Sequence, residues 1–436
     1  MPRIAIIGGG PAGLSLAKLL KNQGLTKTTV FEALPDVGGK SYTVYNGKAV
    51  VEMGTCYATF SHRITNRWMK QLGMPMTRLG IQRFDGEDFV KYIRAGSGPN
   101  IVFQLVRYWY EKARLFRALK RETPPEWALK DAAAPIIEWL NRYDLGKIEN
   151  FMHRSTTNIA YGFVDETPTV QALRWNDVKL VLTGLFNQLK MPVEGWTEFW
   201  RRIAADLDVR TNQKILSVVR EAGQITLITQ DGTAHTFDQL VCTIPMDEFN
   251  ALAVPTSTEL EVAAAVSWNG YTTTLFAAQN WFTDVDVESY KEAVVPGAEL
   301  GQLLSARYEG VEPDLGGDLY LSGQLSGKYS GEELREMLKR DVAKRGGKVT
   351  NVVLQKMWKY FARYRPEAIE DGLLTTLKTM QGEQNTWYSG AIFSHEAVSH
   401  IVEFNAVLAK AMKHKLAETT KEAGDESVLS TAENFS

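Results

Sequence analysis

A glycine-rich turn near the start of the chain has the spacing that suits a phosphate group. Gly8, Gly10 and Gly13 fit the pattern G-x-G-x-x-G, and Pro11 and Ala12 fill the two positions before the last glycine. The first glycine permits a tight turn, the second lets the backbone approach a pyrophosphate, and the third lets a helix pack closely on a strand. The pattern predicts phosphate binding at the N-terminus of the helix that follows.

An acidic residue follows at the distance that the same kind of site requires. Glu32 lies 24 residues after Gly8, with Ala33 beside it. Its carboxylate could accept hydrogen bonds from both hydroxyls of a ribose. A carboxylate at this place repels a 2′-phosphate, so NADP is disfavoured. The spacing therefore indicates an adenine dinucleotide such as FAD or NAD.

The elements that would position these residues are visible in the same stretch. Apolar runs predict buried strands over residues 3–7 and 28–32, and apolar residues at helical spacing predict a helix over 14–22. The glycine turn then lies between a strand and a helix. This context gives specificity to a glycine pattern that is weak by itself.

A second glycine pair, Gly38-Gly39, stands with Lys40 six to eight residues after Glu32. NAD dehydrogenases do not need this pair. It resembles the E-x(5)-G-G-[RK] element of the large flavoprotein family that contains amine oxidases, phytoene desaturases and protoporphyrinogen oxidases. In that family the glycines let a loop fold over the phosphates and the ribityl chain, and the cation neutralises charge. The resemblance implies FAD as the cofactor.

Two stretches further along the chain extend the resemblance. Gly54 and Thr55 belong to a segment similar to the short strand and turn that passes the isoalloxazine in the family. A β-meander predicted over 215–237 would place the backbone of Val218 and Val219 against the adenine. These positions imply that the cofactor site collects residues from distant parts of the chain.

The last stretch of the resemblance lies near the C-terminus, at Gly390 and Ala391. The family's last FAD strand usually ends in Ala-Gly-Glu or Ala-Gly-Asp. Ala391 replaces the acidic residue, so a customary ribityl contact is missing or supplied elsewhere. The next helix would direct its positive end at the N1/C2=O edge of the flavin.

Within the family, the resemblance is closest to the polyenoic fatty acid isomerases, with related flavoenzymes of secondary metabolism as cousins. It is carried by residues 161–165, by Pro168 and by residues 380–386 before the last strand. These isomerases use FAD to remove a hydride beside a double bond and return it at another carbon. The resemblance therefore implies flavin N5 as the hydride acceptor and a cation for the substrate carboxylate.

Candidate substrate contacts come from one arginine and from aromatic residues of the middle region. The resemblance places the arginine in the stretch 78–83, where Arg83 is the first choice and Arg78 is nearly as good. Tyr161 and Trp196 are predicted to place the substrate. The other aromatic candidates are Phe163, Trp175, Phe186 and Phe199. For each aromatic residue taken alone, a place in the hydrophobic core is a better explanation than a place in the pocket. As a set, however, these residues are expected to supply part of a pocket.

Composition excludes several classes of protein. The chain has 49 basic and 51 acidic residues, so nothing favours a nucleic-acid partner. Cys56 and Cys242 are the only cysteines, so a disulfide framework is not expected. The six histidines do not have the spacing of metal ligands, so no metal site is expected either. No apolar run approaches the roughly 18 residues of a membrane span, so a cytoplasmic location is expected. A basic amphipathic helix predicted over 101–121 either docks with a solvated face or lies on a membrane surface.

The predicted fold is of the α/β class. A Rossmann-type FAD-binding domain, with a parallel sheet and the β-meander, is interleaved with a mixed α+β substrate domain that contains a helical cap. Strands are expected over 263–278, and the polar C-terminal residues are expected to be disordered. The predicted ranges are 1–60, 205–250 and 380–417 for the FAD-binding domain, 61–204 and 251–379 for the substrate domain, and 418–436 for the tail.

Four functions stay open. The first is an FAD-dependent oxidoreductase that attacks a C–H bond of a small hydrophobic metabolite, such as a fatty acid or a terpenoid or alkaloid intermediate. The second is a redox-neutral double-bond isomerase of polyunsaturated fatty acids. An amine oxidase is disfavoured, because there is no Ser-Gly-Gly-Cys-Tyr segment for a covalent flavin bond and no lysine over 269–274. A catalytically inert flavin-binding protein is the last, and Ala391 favours it slightly.

Overall fold

The computed structural model describes residues 1–47, 49–95, 101–159, 161–186, 188–221 and 223–433. The described helices are α1 Pro11–Asn22, α2 Arg63–Gln71, α3 Phe89–Ala95, α4 Ile101–Ala118, α5 Glu126–Ala133, α6 Ile136–Arg142, α7 Glu149–Met152, α8 Thr169–Trp175, α9 Val178–Leu185, α10 Trp196–Ala204, α11 Met246–Asn250, α12 Ser257–Ala264, α13 Gly331–Lys344, α14 Pro366–Glu370, α15 Leu373–Thr379 and α16 Val398–Glu433. A π-helical turn, His153–Thr157, follows α7.

The described strands are β1 Ile4–Ile7, β2 Thr28–Phe31, β3 Thr43–Asn46, β4 Ala49–Glu52, β5 Met76–Arg78, β6 Gln82–Phe84, β7 Glu87–Asp88, β8 Lys190–Pro192, β9 Asp208–Arg210, β10 Ile215–Glu221, β11 Gln224–Thr229, β12 Ala234–Phe237, β13 Gln239–Cys242, β14 Val266–Trp268, β15 Tyr271–Gln279, β16 Val287–Ser289, β17 Leu303–Glu312, β18 Gly317–Leu325, β19 Lys348–Trp358, β20 Ala362–Tyr364 and β21 Thr386–Tyr388.

A parallel sheet brings the two ends of the chain together. Its strand order is β21-β13-β1-β2-β9, and every neighbouring pair is parallel. All four residues of β1 and of β13 are buried, as apolar strands between covered faces should be. This arrangement confirms the predicted α/β class with a Rossmann-type sheet.

Helices α1 and α16 pack together on this sheet. Leu16 and Leu20 of α1 share a buried cluster with Leu408 of α16. The side-chain amide of Asn405 also donates to the Ala12 carbonyl at 2.7 Å. Because this polar contact is buried and satisfied, it fixes α16 against the first turn of α1. The positions that follow β1 and β21 are thereby held side by side.

The predicted β-meander is confirmed as a separate antiparallel sheet, with strand order β10-β11-β12. A seven-stranded sheet, β19-β15-β18-β17-β16-β6-β7, forms the base of the remaining part. Helices α2 to α9 lie in the middle region of the sequence, where a helical part was expected. The division into an FAD-binding and a substrate domain stays a prediction.

The strands expected over 263–278 are found over most of that range, as β14 Val266–Trp268 and β15 Tyr271–Gln279. Its first two residues belong instead to α12, which begins at a capping box formed by Thr256 and Glu259. The prediction for the C-terminal tail was wrong. The tail expected to be disordered from residue 418 continues α16 as far as Glu433. That stretch is polar, but four of its residues are glutamates, which have high helix propensity. Over the described parts of the chain, no helix combines the length and the apolar character needed to cross a membrane.

Candidate functional site

The glycine turn joins β1 to α1 in the conformation that the sequence predicts. Gly8 has a φ of +109°, which favours glycine, and α1 begins directly after Gly10. A Cβ on Gly13 would lie 1.9 Å from the Gly8 carbonyl oxygen, so only glycine fits there. The turn therefore leaves its backbone open in front of the N-terminus of α1, where a phosphate is favoured.

Glu32 stands at the end of β2, next to this turn. One carboxylate oxygen accepts the Gly9 N–H at 2.7 Å, and the other accepts the Leu34 N–H at 2.8 Å. Each oxygen keeps a further lone pair that can accept a hydrogen bond from a hydroxyl group. The buried carboxylate is thus fixed in the place that suits the ribose of an adenine dinucleotide.

The second glycine pair packs directly on the first turn. The Gly38 N–H donates to the Gly9 carbonyl at 2.9 Å. A Cβ on Gly39 would lie 3.1 Å from the Gly10 Cα, and both Gly38 and Gly39 have positive φ. The pair therefore lets two stretches of backbone approach around one cavity.

A cavity lies in front of these two turns. From the first βαβ unit it is lined by Gly8, Gly10, Pro11, Ala12 and Glu32. From the other predicted cofactor stretches it is lined by Gly39, Lys40, Thr55, Gly390 and Ala391. Open backbone, a helix N-terminus and the Glu32 carboxylate on one wall fit an adenine dinucleotide.

Some predicted cofactor residues lie elsewhere. Gly13 and Gly38 act in packing, Gly54 lines a second cavity, and Ala33 is exposed just outside the first. Lys40 does not face the first cavity as a free cation, because its ammonium group contacts Glu396 Oε1 at 2.7 Å and the Lys359 carbonyl at 2.6 Å.

The prediction for Val218 and Val219 is not met. The N–H of Val218 donates to the Leu252 carbonyl at 2.8 Å, and neither residue is among the described residues that line the cavity. The segment beside Glu32 is instead Asn212-Gln213, which donates to the carbonyls of Leu34 and Glu32 at 3.0 and 2.8 Å. The entry loop of the meander is therefore the part of it that lies beside Glu32.

A second cavity adjoins the first. The two cavities share four wall residues, which are Thr55, Tyr360, Glu396 and Val398. Aromatic and aliphatic side chains form much of the second wall, including Tyr57, Trp175, Leu180, Tyr271, Leu321 and Phe361. A ligand in the first cavity can therefore meet an apolar ligand in the second.

Two arginines line the second cavity, and they differ in pairing. Arg307 forms an ion pair with Glu309 and donates to the Glu52 carbonyl at 3.2 Å. Arg154 has no carboxylate partner among the described residues. Its polar contact is with Gln82 Oε1 at 3.4 Å, and burial lowers the pKa of its guanidinium. Arg154 therefore offers a positive charge without a carboxylate partner among the described residues, in a cavity whose wall is mainly apolar but also contains Arg307 and Glu396.

The predicted arginine is not at this cavity. Arg83 lies on β6, which pairs with β16, and its guanidinium contacts Asp284 at 2.7 Å. Arg78 is exposed on β5. Neither is among the described residues lining either cavity. The expectation that Arg83 faces the substrate is therefore not met.

The aromatic candidates separate into wall and core. Trp175 lines the second cavity, and Tyr161 stands behind the wall, with its ring 4.5 Å from that of His395 and 4.4 Å from that of Phe361. Trp196 is buried in a core cluster, where its indole donates to the Cys56 carbonyl at 3.0 Å. Phe199 shares that core cluster, Phe163 is buried in another and Phe186 is exposed.

Two site residues were missed by sequence reasoning. Glu396 lies six residues after Gly390 and lines both cavities, with one carboxylate oxygen that has no hydrogen-bond partner among the described residues. The acid expected at position 391 could have been sought just before the last helix. No pattern in the sequence points to Arg154. It lies in a π-helical turn, a feature that is frequent at functional sites.

The fold and the joined cavities define a flavoprotein that binds its cofactor at a Rossmann-type turn. A sequence model of the family described as flavin containing amine oxidoreductase matches residues 11–293. The chain belongs to this family, and its cofactor is FAD, which the first cavity fits.

Known relatives agree with this assignment. Polyamine oxidase 4 of Oryza sativa subsp. japonica is 23% identical over 272 residues, which are 59% of this chain and 54% of that protein. Polyenoic fatty acid isomerase of Ptilota filicina is 21% identical over 290 residues, 58% of each chain. The chain spans about half the length of the curated relatives it matches.

The same fold occurs in solved structures. The CLA-producing fatty acid isomerase from P. acnes superposes with a TM-score of 0.84 at 22% identity, over 94% of this chain and 98% of that one. Putrescine oxidase bound to putrescine gives 0.70 at 15% identity, over 95% and 99%. These likenesses show the fold and leave the reaction open.

Proposed function

We propose that the chain is an FAD-dependent oxidoreductase that removes a hydride from a C–H bond of a small hydrophobic metabolite. One observation carries the proposal. The predicted cofactor cavity and a mainly apolar cavity share the wall residues Thr55, Tyr360, Glu396 and Val398. When bound, FAD supplies the hydride acceptor, flavin N5. The substrate carbon loses a bond and its electron pair, so it must lie about 3–3.5 Å from that atom.

The residues of the second cavity supply placement and electrostatics. The rings of Tyr271 and Tyr360 stack at 6.1 Å, and that of Phe361 lies 5.2 Å from Tyr360. Such rings exclude water, and their faces stabilise a carbon that becomes electron-poor. The carboxylate of Glu396 lies on the wall that both cavities share. Lys40 pairs with its Oε1, whereas its Oε2 has no hydrogen-bond partner among the described residues and can accept a hydrogen bond.

Arg154 narrows the substrate class. An unpaired guanidinium in an apolar cavity attracts an anion, and a carboxylate matches its fork of donors. The proposed substrate is therefore an apolar molecule with a carboxylate. This feature also supports the second candidate function, a redox-neutral isomerase of unsaturated fatty acids, in which the electron pair and the hydrogen return to another carbon.

Anaerobic mixing of the FAD-loaded protein with linoleic acid, and separately with an amine panel, tests the proposal. We expect the acid either to bleach the yellow flavin band or to yield an isomer while the band stays oxidised. Bleaching indicates net oxidation, and an isomer without bleaching indicates the second candidate. Bleaching by an amine, with no change of any acid, would instead make the protein an amine oxidase and would contradict the proposal.

The variant Arg154→Met tests whether this arginine binds a substrate carboxylate, independently of the reaction at the flavin. Arg154→Met should raise the KM for the free acid by about 10- to 100-fold, as the loss of a charged hydrogen bond predicts, and should leave the KM for its methyl ester unchanged. Arg83→Met is the matched control, because the structure pairs Arg83 with Asp284 away from the cavity. An equal effect of both variants would exclude Arg154 as the anchor.

A further inference from the structure

Helix α4 presents an apolar face to solvent in addition to its buried face. Gln104, Tyr108, Leu115 and Ala118 are buried against the rest of the protein. On the other side of the helix, Val102, Phe103, Val106 and Tyr110 are 69%, 65%, 56% and 65% exposed. A docked helix needs only one apolar face. The second face therefore needs another explanation.

The charge of the same segment is strongly asymmetric. Residues 101–121 contain six basic residues and one acidic residue, whereas the whole chain has a net charge of −2. Arg117, Lys120 and Arg121 are exposed at the C-terminal end of the segment. The outward surface of α4, defined by Val102, Phe103, Val106 and Tyr110, is thus apolar along its first half and continues into a basic end.

The outward surface lies close to the second cavity. On the inner side of α4, the Tyr108 hydroxyl and the Lys112 ammonium donate to the Asn176 carbonyl at 2.8 and 3.0 Å. Asn176 follows Trp175, which lines the cavity, and precedes α9, whose Leu180 also lines it. Helix α4 is therefore one layer of chain away from the cavity wall.

We propose that the outward surface of α4 binds an anionic phospholipid membrane. Exposed apolar side chains enter the headgroup region, and the basic end is attracted by the negative surface potential. A symmetric contact with a second copy would bring two such basic segments together, and their repulsion disfavours that occupant. Binding would place the cavity wall beside the apolar phase, independently of which reaction the flavin performs.

Co-sedimentation of the full-length, FAD-loaded protein with vesicles tests the proposal. We expect binding to an equimolar mixture of phosphatidylcholine and phosphatidylglycerol at low salt, and little binding to pure phosphatidylcholine. The double variant Phe103→Glu/Val106→Glu should weaken binding by about tenfold or more, and Arg117→Glu/Lys120→Glu should weaken it mainly at low salt. Val254→Glu, at a residue 87% exposed outside α4, is the matched control and should bind as the parent does.

The result that overturns the proposal is a lack of binding to anionic vesicles at low salt, or binding that the Phe103→Glu/Val106→Glu variant retains. Light scattering provides the second readout. A dimer that dissociates only in that variant would assign the outward surface to a second copy and would also overturn the proposal. Flavin absorbance that equals the parent's shows that the variants are folded.

Discussion

Glu32 connects two parts of the candidate cofactor site. Its oxygens accept the N–H groups of Gly9, in the glycine turn, and of Leu34, beyond β2. A Cβ on Gly9 would lie 2.9 Å from the Glu32 carboxylate, so the two residues are in close contact. A carboxylate that already holds both loops is pre-organised to accept ribose hydroxyls.

Glu32→Gln should weaken FAD binding by about 1–3 kcal/mol, since one oxygen acceptor is replaced by a donor and the charge is lost. Titration of the apoprotein with FAD, followed by flavin fluorescence, measures the affinity. Asp36→Asn is the control, because Asp36 lies on the same loop but pairs with Arg201. An FAD affinity that is unchanged in the Glu32→Gln variant would contradict the proposal that Glu32 binds the ribose.

The residues of the candidate site differ in how well the sequence predicts them. The roles of Gly8, Gly13 and Glu32 follow from local rules, because the turn, the helix and the strand end are adjacent in the chain. The carboxylate-binding arginine could not be chosen in this way. Arg83 is turned towards Asp284 by the pairing of β6 with β16, and that pairing joins segments about 200 residues apart. Arg154 reaches the cavity through a π-helical turn that periodicity does not reveal.

At the scale of elements, Glu52 connects a hairpin to a helix. It ends β4, and its buried carboxylate accepts the Trp196 N–H at the start of α10 at 2.7 Å and the Thr43 hydroxyl at 3.0 Å. Burial is the largest influence and raises the pKa of Glu52 from 4.5 to about 7, although these hydrogen bonds oppose it. The hairpin and the helix therefore meet at a carboxyl group that titrates near neutrality.

This pKa makes stability depend on pH. Between pH 4.5 and about 7 the folded state holds the proton and the unfolded state does not, so the contribution of Glu52 to stability falls as the pH rises. Glu52→Gln keeps an acceptor for Trp196 and removes the titration. Relative to the parent, the variant should gain at most about 3 kcal/mol in free energy of unfolding between pH 5 and pH 8.

Urea unfolding of both proteins at several pH values measures that gain. The comparison with the parent is needed because buried His62 and His395, whose pKa values are lowered by burial, make stability rise with pH. Both proteins carry these histidines, so their effect cancels. A difference between the proteins that stays constant from pH 5 to pH 8 would mean that Glu52 does not titrate in this range.

Elements with a strong local signal were predicted, and elements formed by distant pairing were not. The unit β1-α1-β2 and the meander follow from apolar periods and from turn residues. The short strands β5, β6 and β7 contain few residues and depend on partners such as β8 and β16. The continuation of α16 to Glu433 was missed because polarity was taken as a sign of disorder, although the residues favour a helix.

The cofactor cavity of the whole molecule is built from both ends and the middle of the chain. Gly10 comes from the first turn, Ile244 from the loop after β13, and Ile392 from the segment before α16. Strand β1 lies between β2 and β13, and β21 lies beyond β13. A ligand that contacts all three stretches connects regions that separate on unfolding. Bound FAD should therefore stabilise the entire fold.

Removal of FAD should lower the melting temperature, because the ligand binds the folded state and not the unfolded chain. At a free FAD concentration of about 100 times its Kd, the stabilisation is about 2.7 kcal/mol. For a chain of 436 residues, this corresponds to a shift of about 3 °C. Thermal unfolding of the apoprotein with increasing FAD, followed by circular dichroism, measures the shift. FMN lacks the adenylate half, so it cannot use the Glu32 side of the cavity and should give a smaller shift at the same concentration. An equal shift with FMN and FAD would show that the adenine and its ribose are bound elsewhere.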